Sequence, residues 1–199
     1  MRNSIIIVGV GGQGTLLASK ILSLAAQERG LFVRTSETIG MAQRGGSVSS
    51  HVRICAENLS PVIPQRHAEL LLGFELSEAA RTLGKLAPDA KAVINAEKIV
   101  PTNVALKKGV YLEDEYLALI NKRVPNALLI KGTPLAVEAG NSRSLNVVMI
   151  GAATGAEILP FTEEEMRAAL RKAVKEKTLA VNEKAFDLGF EQGVRWRKR

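Results

Sequence analysis

The chain has 199 residues, 46% of them hydrophobic and 24% charged, with a formal net charge of +7. These values predict a single domain over residues 1–199, and the aromatic content of 4% argues against nucleic-acid binding by base stacking. No apolar run is long enough for a signal peptide or a membrane span, and a lone cysteine, Cys55, suits a reducing compartment. We therefore expect a cytoplasmic protein that binds neither nucleic acid nor membrane.

The N-terminal quarter predicts strands that flank a helix. Residues 4–10 and 31–36 are β-branched or apolar runs typical of strands, and residues 15–30 have helical periodicity up to Gly30. The apolar positions of this helix are Leu16, Leu17, Ile21, Leu24 and Ala25. Residues 47–54 alternate strictly, which predicts a strand with one face turned to water or to a partner. The polar residues of that face are Ser47, Ser49, His51 and Arg53.

The rest of the chain continues the alternation and then becomes helical. We expect strands at 68–74, 91–97 and 127–132, with helices at 75–86 and near 113–123. A buried helix follows at 145–159, then one that begins at a capping box of Thr162 and Glu165, and a last amphipathic helix at 182–196. This order predicts the α/β class: a Rossmann-like three-layer α/β/α sandwich on a mostly parallel sheet, with a helical C-terminal third.

A glycine loop follows the first strand. Gly9, Gly11 and Gly14 match G-x-G-x-x-G between a strand and a helix, and Glu37 ends the second strand, where a ribose-binding acid is expected. This pattern indicates either a dinucleotide site or close packing of the first helix on the sheet. The small, polar Gly12 and Gln13, and a second glycine loop further on, favour the packing interpretation.

The second loop lies within residues 37–53. Arg44, Gly45 and Gly46 precede a serine-rich strand, so the guanidinium and free N–H groups can meet a carboxylate, a phosphate or a partner surface. A bulged turn with a solvated arginine explains the same residues, and both interpretations stay open.

Side chains for independent catalysis are sparse. One cysteine cannot hold an iron–sulfur cluster, and His51 and His67 are not at metal-ligand spacing with each other or with Cys55. No G-x-S-x-G motif is present, and the acidic residues at 113–115 and 163–165 suit helix starts. We assign no metal site and no catalytic residue to this chain.

Five segments, in order, resemble the gamma-type domain of 2-oxoacid:ferredoxin oxidoreductases. They are GVGGQGTLLASKIL (9–22), ETIGMAQRGGSVSSHVRI (37–54), AELLLGFELSEAAR (68–81), LNVVMIGA (145–152) and NEKAFDLGF (182–190). The GMAQRGG form at 40–46 is similar to the indolepyruvate (aryl-pyruvate) branch, in which this domain is the beta subunit. Related pyruvate enzymes tend to carry a Tyr-Gly version of that loop.

The resemblance implies a subunit that is inactive alone. It implies a large alpha subunit carrying thiamine diphosphate and [4Fe–4S] clusters, CoA as co-substrate, and ferredoxin as the electron acceptor of the complex. The functional loops would be ligand- or partner-binding segments at the carboxyl ends of the strands, namely Gly11, Gly12, Gln13 and Gly14 with Arg44, Gly45 and Gly46. When isolated, the chain could form a homodimer.

Three alternatives remain open at this stage. One is a stand-alone NAD(P)- or FAD-dependent oxidoreductase using Gly9, Gly11, Gly14 and Glu37. Another is a regulatory or scaffold protein that has kept the fold and lost the complex. The last is a gamma subunit of a pyruvate or other 2-oxoacid oxidoreductase.

Overall fold

The computed structural model describes residues 3–39, 46–55, 59–97 and 110–199. The strands are β1 (Asn3–Val10), β2 (Phe32–Ile39), β3 (Ser47–Cys55), β4 (Ala68–Gly73), β5 (Leu86–Asn95) and β6 (Leu128–Ile130). The helices are α1 (Thr15–Glu28), α2 (Leu76–Thr82), α3 (Glu113–Arg123), α4 (Gly132–Ala139), α5 (Leu145–Gly155), α6 (Glu163–Ala173) and α7 (Glu176–Arg197). Short 3₁₀ turns lie at Leu83–Lys85 and Ser142–Ser144.

The strands form one sheet in the order β2-β3-β1-β4-β5-β6. The pairs β1/β4, β4/β5 and β5/β6 are parallel, whereas β3 is antiparallel to both of its neighbours, β1 and β2. The sheet is therefore mostly parallel, with β3 as an antiparallel strand inserted between β1 and β2.

Helices cover both faces of this sheet. Alternate residues of β1 enter separate cores: Ile5 and Ile7 pack with α1 and with α4 to α7, whereas Ile6 and Val8 pack with α2 and α3. Burial on both faces explains why β1 is a nearly continuous apolar run. The predicted three-layer α/β/α architecture with a helical C-terminal third is confirmed.

Helices α5 and α7 are in close contact through glycines on both sides. A methyl group at Gly151 would overlap the backbone of Phe186, and one at Gly189 would overlap the carbonyl oxygen of Val148. Gly155 and Gly193 make the same kind of contact one helical turn further along each helix. Later residues of α5 contact later residues of α7, so the two helices run in the same direction. The close approach buries every residue of α5.

The structure corrects several details of the expected elements. Leu16 is 49% exposed, because α1 buries the face that carries Ala18, Ile21 and Leu22. The face of β3 that was expected to meet water or a partner is buried at the C-terminal end of the strand. There the segment after residue 58 covers His51 and Arg53.

Two helix predictions also need correction. Helix α7 begins at Glu176, six residues before the expected start at 182, because none of residues 176–181 is buried and their sequence lacks apolar periodicity. Helix α4 was not predicted, since its eight residues directly follow a short strand. The capping box of Thr162 and Glu165 is present as expected. No helix in the ranges given above is long and apolar enough to cross a membrane.

Candidate functional site

The two predicted loops approach each other at the carboxyl edge of the parallel strands. β1 ends at Val10, and β3, which runs the other way, starts at the same edge. The N–H of Gly11 donates to the carbonyl oxygen of Gly46 at 2.8 Å, so the structure brings the first loop and the end of the second together. Arg44 and Gly45 lie outside the described residues.

Gln13 holds the first loop from inside. Its Oε1 accepts from the N–H of Val10 at 2.7 Å, and its Nε2 donates to the carbonyl oxygen of Phe74 at 2.9 Å. A Cβ at Gly9 would overlap this Oε1 and lie 3.1 Å from Cβ of Phe74. The first glycine of the pattern is therefore required by the Gln13 side chain, without any ligand.

Asn95, at the end of β5, adds a second amide bridge. Its Nδ2 donates to the same Phe74 carbonyl at 3.1 Å, and its Oδ1 accepts from the N–H of Gly132 at 3.0 Å. Together Gln13 and Asn95 connect the ends of β1, β4 and β5 to the start of α4. Asn95 was not predicted as a site residue: its place at the end of an apolar run is visible in the sequence, but its complete burial and its partners are visible only in the structure.

The start of α1 leaves donors available. Gly14 is its N-cap in a left-handed conformation, with φ of 78°, and has no side chain to cap the N–H groups that follow. Thr15 is only 4% exposed, and its hydroxyl makes no hydrogen bond with the described residues. It stays accessible to solvent, because it is not among the described buried polar atoms that lack a partner. These donors favour an anionic or carbonyl group at this position.

A cavity of about 420 Å³ lies over these donors. It is lined by Val10, Gly11, Gly12, Gly14, Thr15, Leu16 and Val48. Leu16 contributes exposed apolar surface beside the polar backbone groups. The cavity can thus accept a group with one charged or polar end and one apolar side.

Glu37 is not brought to the glycine loop. It pairs with Ser50, which pairs with Ile7, so Glu37 is separated from β1 by the whole of β3. Two strand spacings place it about 10 Å from β1. The carboxylate is also exposed on the edge strand. The structure gives the ribose-binding interpretation of Glu37 no support.

Buried carboxylates lie beside the loops on the α2 side. Glu75 is fully buried and accepts from the hydroxyl of Tyr111 at 2.6 Å, while Glu78 accepts from the hydroxyl of Ser47 at 2.6 Å. Burial, and next the bond to Glu75, raise the pKa of Tyr111, which keeps the phenol protonated. The hydrogen bond between Tyr111 and Glu75 could not be predicted from the sequence, because the two residues are far apart along the chain.

The two histidines have unrelated structural positions. His51 is 6% exposed, and its Nδ1 accepts from the N–H of Ile63 at 3.1 Å, which fixes the tautomer with hydrogen on Nε2. Burial, and secondly the nearby charge of Lys85, lower the pKa of His51. His67 is exposed, directly after the turn at residues 65–66. No three His, Cys, Asp or Glu side chains among the described residues could hold a metal ion.

The fold and this edge define a Rossmann-like α/β protein whose glycine loop is fixed by amide side chains. A family model described as Pyruvate ferredoxin/flavodoxin oxidoreductase matches residues 4–192. The chain therefore belongs to the pyruvate ferredoxin/flavodoxin oxidoreductase family, and the resemblance noted from its motifs is confirmed.

Relatives of two kinds were found. A protein of Archaeoglobus fulgidus named "Indolepyruvate oxidoreductase subunit IorB" is 38% identical over 98% of this chain and 96% of its own length. The "Pyruvate/ketoisovalerate oxidoreductases common subunit gamma" of Thermococcus kodakarensis is 25% identical over 90% of this chain and 92% of its own. The first kind is clearly more similar.

One solved structure has the same fold over its whole length. The gamma subunit of the keto/oxoacid ferredoxin oxidoreductase from Geobacter sulfurreducens PCA superposes with a TM-score of 0.70 at 21% identity. The match covers 97% of this chain and 99% of that one. The expected gamma-type fold is thereby confirmed.

Proposed function

We propose that this chain is the cluster-free subunit of an indolepyruvate (aryl-pyruvate):ferredoxin oxidoreductase and works as one gamma-type domain. The complex would decarboxylate an aryl pyruvate oxidatively to an acyl-CoA and pass the electrons to ferredoxin. The observation that carries the proposal is the identity of 38% to a subunit named for indolepyruvate, against 25% to a common gamma subunit.

Thiamine diphosphate and [4Fe–4S] clusters belong, in this proposal, to a large partner subunit, and CoA is a co-substrate of the complex. The residues of this chain do not suit a cluster, because it has one cysteine and Cys55 is buried in the core. The contribution of this subunit is therefore to bind the partner subunit or a ligand, to orient it and to exclude water from the site.

The loops at the carboxyl edge are the proposed contact region, with Gly11, Gly12, Gln13 and Gly14 on the first loop and Arg44, Gly45 and Gly46 on the second. Support comes from the uncapped start of α1, the unpartnered Thr15 hydroxyl among the residues described, and the apolar surface of Leu16. The amide bridges of Gln13 and Asn95 keep the donors in place without a ligand, which lowers the entropic cost of binding.

A second candidate is a gamma subunit of a pyruvate or other 2-oxoacid enzyme. The family description and the common gamma subunits support it at lower identity. The stand-alone dinucleotide enzyme has no comparable support, since β3 lies between Glu37 and β1 and keeps its carboxylate away from the glycine loop. If the chain is instead a scaffold protein, we expect it to purify without a thiamine-bearing partner.

The substrate is tested in the anaerobically assembled complex. Ferredoxin reduction is measured with CoA and, in turn, indolepyruvate, pyruvate and 2-oxoglutarate, with and without this chain. We expect indolepyruvate to give the highest kcat/KM and activity to require this chain. Preference for pyruvate would favour the second candidate, and activity independent of this chain would refute both.

The loop assignment needs its own variant. Thr15→Val keeps the size of the side chain and removes a hydroxyl without a hydrogen-bond partner in the described ranges, so folding should be unaffected. We expect kcat/KM or the affinity between subunits to fall about tenfold. Thr35→Val, on the exposed edge strand β2, is the matched control and should leave both unchanged. Equal behaviour of the two variants would remove the α1 start from the contact region.

A further inference from the structure

A second cavity, of about 380 Å³, lies at the junction of several chain segments. Its lining comes from Leu17 of α1, from the turn before α5, from the end of α6 and from the first turns of α7. We call it the Ser144 cavity. Its volume is within the range of small-molecule pockets. It has no lining residue in common with the cavity over the glycine loop.

Three cations border the Ser144 cavity without an anionic partner. Arg143, Lys175 and Lys177 make no ion pair with any residue of the described ranges. No carboxylate lines the cavity, and Glu176 between the two lysines is exposed outside the lining.

The cationic side chains of the neighbouring helix α6 do have anionic partners. Arg167 pairs with Glu163 and Asp187, Arg171 with Glu183, and Lys172 with Glu28. Local carboxylates thus neutralise the cations of α6 and leave the cavity rim positive. The contrast indicates a preference of this cavity for an anion.

Two buried polar residues, Ser144 and Asn182, line the cavity, and Asn182 donates from Nδ2 to the carbonyl oxygen of Thr178. Ser144 is 3% exposed, and its hydroxyl makes no hydrogen bond with the described residues. This hydroxyl stays accessible to solvent, because the fully buried polar side-chain atoms without a partner in the described ranges are Oγ of Ser50 and Nε of Arg53.

Ser144 is also the N-cap of α5, and Lys175 is the N-cap of α7; neither side chain caps its helix. The start of α7 therefore adds N–H donors and a positive dipole end beside this hydroxyl, whereas at the start of α5 the N–H groups of Leu145 and Val147 already donate to the carbonyl oxygen of Ser142 and to Oδ1 of Asn146.

We propose that the Ser144 cavity binds the phosphate group of a phosphorylated small molecule. The Ser144 hydroxyl donates to the phosphate, and Arg143, Lys175 and Lys177 compensate its charge. A doubly charged oxyanion suits this set of donors better than a carboxylate does. The cavity is larger than a phosphate ion, so the rest of it accommodates the body that carries the phosphate. This inference does not depend on the proposed function.

The test is calorimetric titration of the full chain, at constant ionic strength, with AMP and with inorganic phosphate as probes. We expect both to bind and AMP to bind more tightly. Equal affinities would assign the cavity to a free phosphate and overturn the assignment to a larger ligand. No binding of either probe at millimolar concentration would overturn the site itself.

Two variants locate the site. Ser144→Ala should weaken AMP binding several-fold, and Lys177→Gln about tenfold, through loss of a hydrogen bond and of a charge. Lys184→Gln, exposed on the same helix but outside the cavity lining, is the matched control and should change the Kd less than twofold. An equal loss in Lys177→Gln and Lys184→Gln would mean diffuse attraction by the net charge and would overturn the proposal.

Discussion

The amide of Gln13 fills the space that a tight glycine loop leaves beneath it. It satisfies the Val10 N–H and the Phe74 carbonyl at the same time, on two neighbouring parallel strands. An aliphatic side chain would leave the Val10 N–H without this acceptor, and the Phe74 carbonyl would keep only its hydrogen bond from Asn95 Nδ2. The glycine at position 9 and the amide at position 13 are therefore one structural unit, which explains a G-x-G-x-x-G pattern in a chain whose Glu37 is separated from the loop by β3.

Gln13→Ala should accordingly destabilise the chain. We expect the free energy of unfolding to fall by about 1–3 kcal/mol, the cost of leaving a buried donor, the Val10 N–H, without its acceptor. Urea unfolding of the full chain measures it. Gln27→Ala, at an exposed position near the end of α1, is the control and should change the value by less than about 0.5 kcal/mol. A neutral Gln13→Ala would show that the bridge contributes no stability.

His51 makes stability depend on pH. Burial lowers its pKa in the folded chain, so around its ordinary value the unfolded chain binds more protons than the folded one. Stability from this group is complete above an unfolded-state pKa of about 6.5 and is lost as the pH falls below it.

The variant His51→Gln tests this dependence. The free energy of unfolding of the unsubstituted chain should drop between about pH 7.5 and about pH 5.5, and His51→Gln should reduce that drop. The exposed His67→Gln is the control and should leave the drop unchanged. An unaltered pH dependence in His51→Gln would contradict the assignment of the neutral imidazole.

Among the elements, α5 and α7 pack with their backbones in direct contact. Each has two glycines where the other's backbone passes, so the helices cannot separate without losing the contacts that bury α5. The spacing of four residues is visible in both segments of the sequence. Only the structure shows that the glycines of α5 and those of α7 face each other.

Gly189→Ala tests this packing. The added methyl group would overlap the Val148 carbonyl oxygen and force the helices apart, so we expect a loss of at least about 2 kcal/mol in the free energy of unfolding. Gly84→Ala is the matched control, because its nearest neighbour would be 3.7 Å away. Thermal or urea unfolding compares them. Similar stabilities for the two variants would contradict close packing of α5 on α7.

The strand order shows a limit of prediction from local patterns. β1, β2 and β3 were each expected from apolar or alternating runs, and the structure contains all of them. The insertion of β3 between β1 and β2 depends on pairing between distant residues, such as Ile7 with Ser50, which periodicity does not encode. This insertion separates Glu37 from the glycine loop, so the dinucleotide interpretation could be judged only in three dimensions.

At the scale of the whole molecule, the sequence predicted the layers and the approach of the two loops but not what supports them. Gly11 and Gly46 meet as the carboxyl-edge argument requires. Asn95, Glu75 and Ser144 were not found, because an isolated polar residue in a sequence does not reveal its burial or its partners. The roles of the Gly11–Gly14 loop and of Arg44, Gly45 and Gly46 stay predictions.

Purification of the tagged chain from an anaerobic extract of its source tests whether this chain functions only with a larger partner. We expect a large subunit to copurify with thiamine diphosphate and iron, and indolepyruvate-dependent ferredoxin reduction to disappear when this chain is removed. A chain that is purified alone and binds NAD(P)H tightly would contradict the subunit proposal and restore the glycine loop as a dinucleotide site.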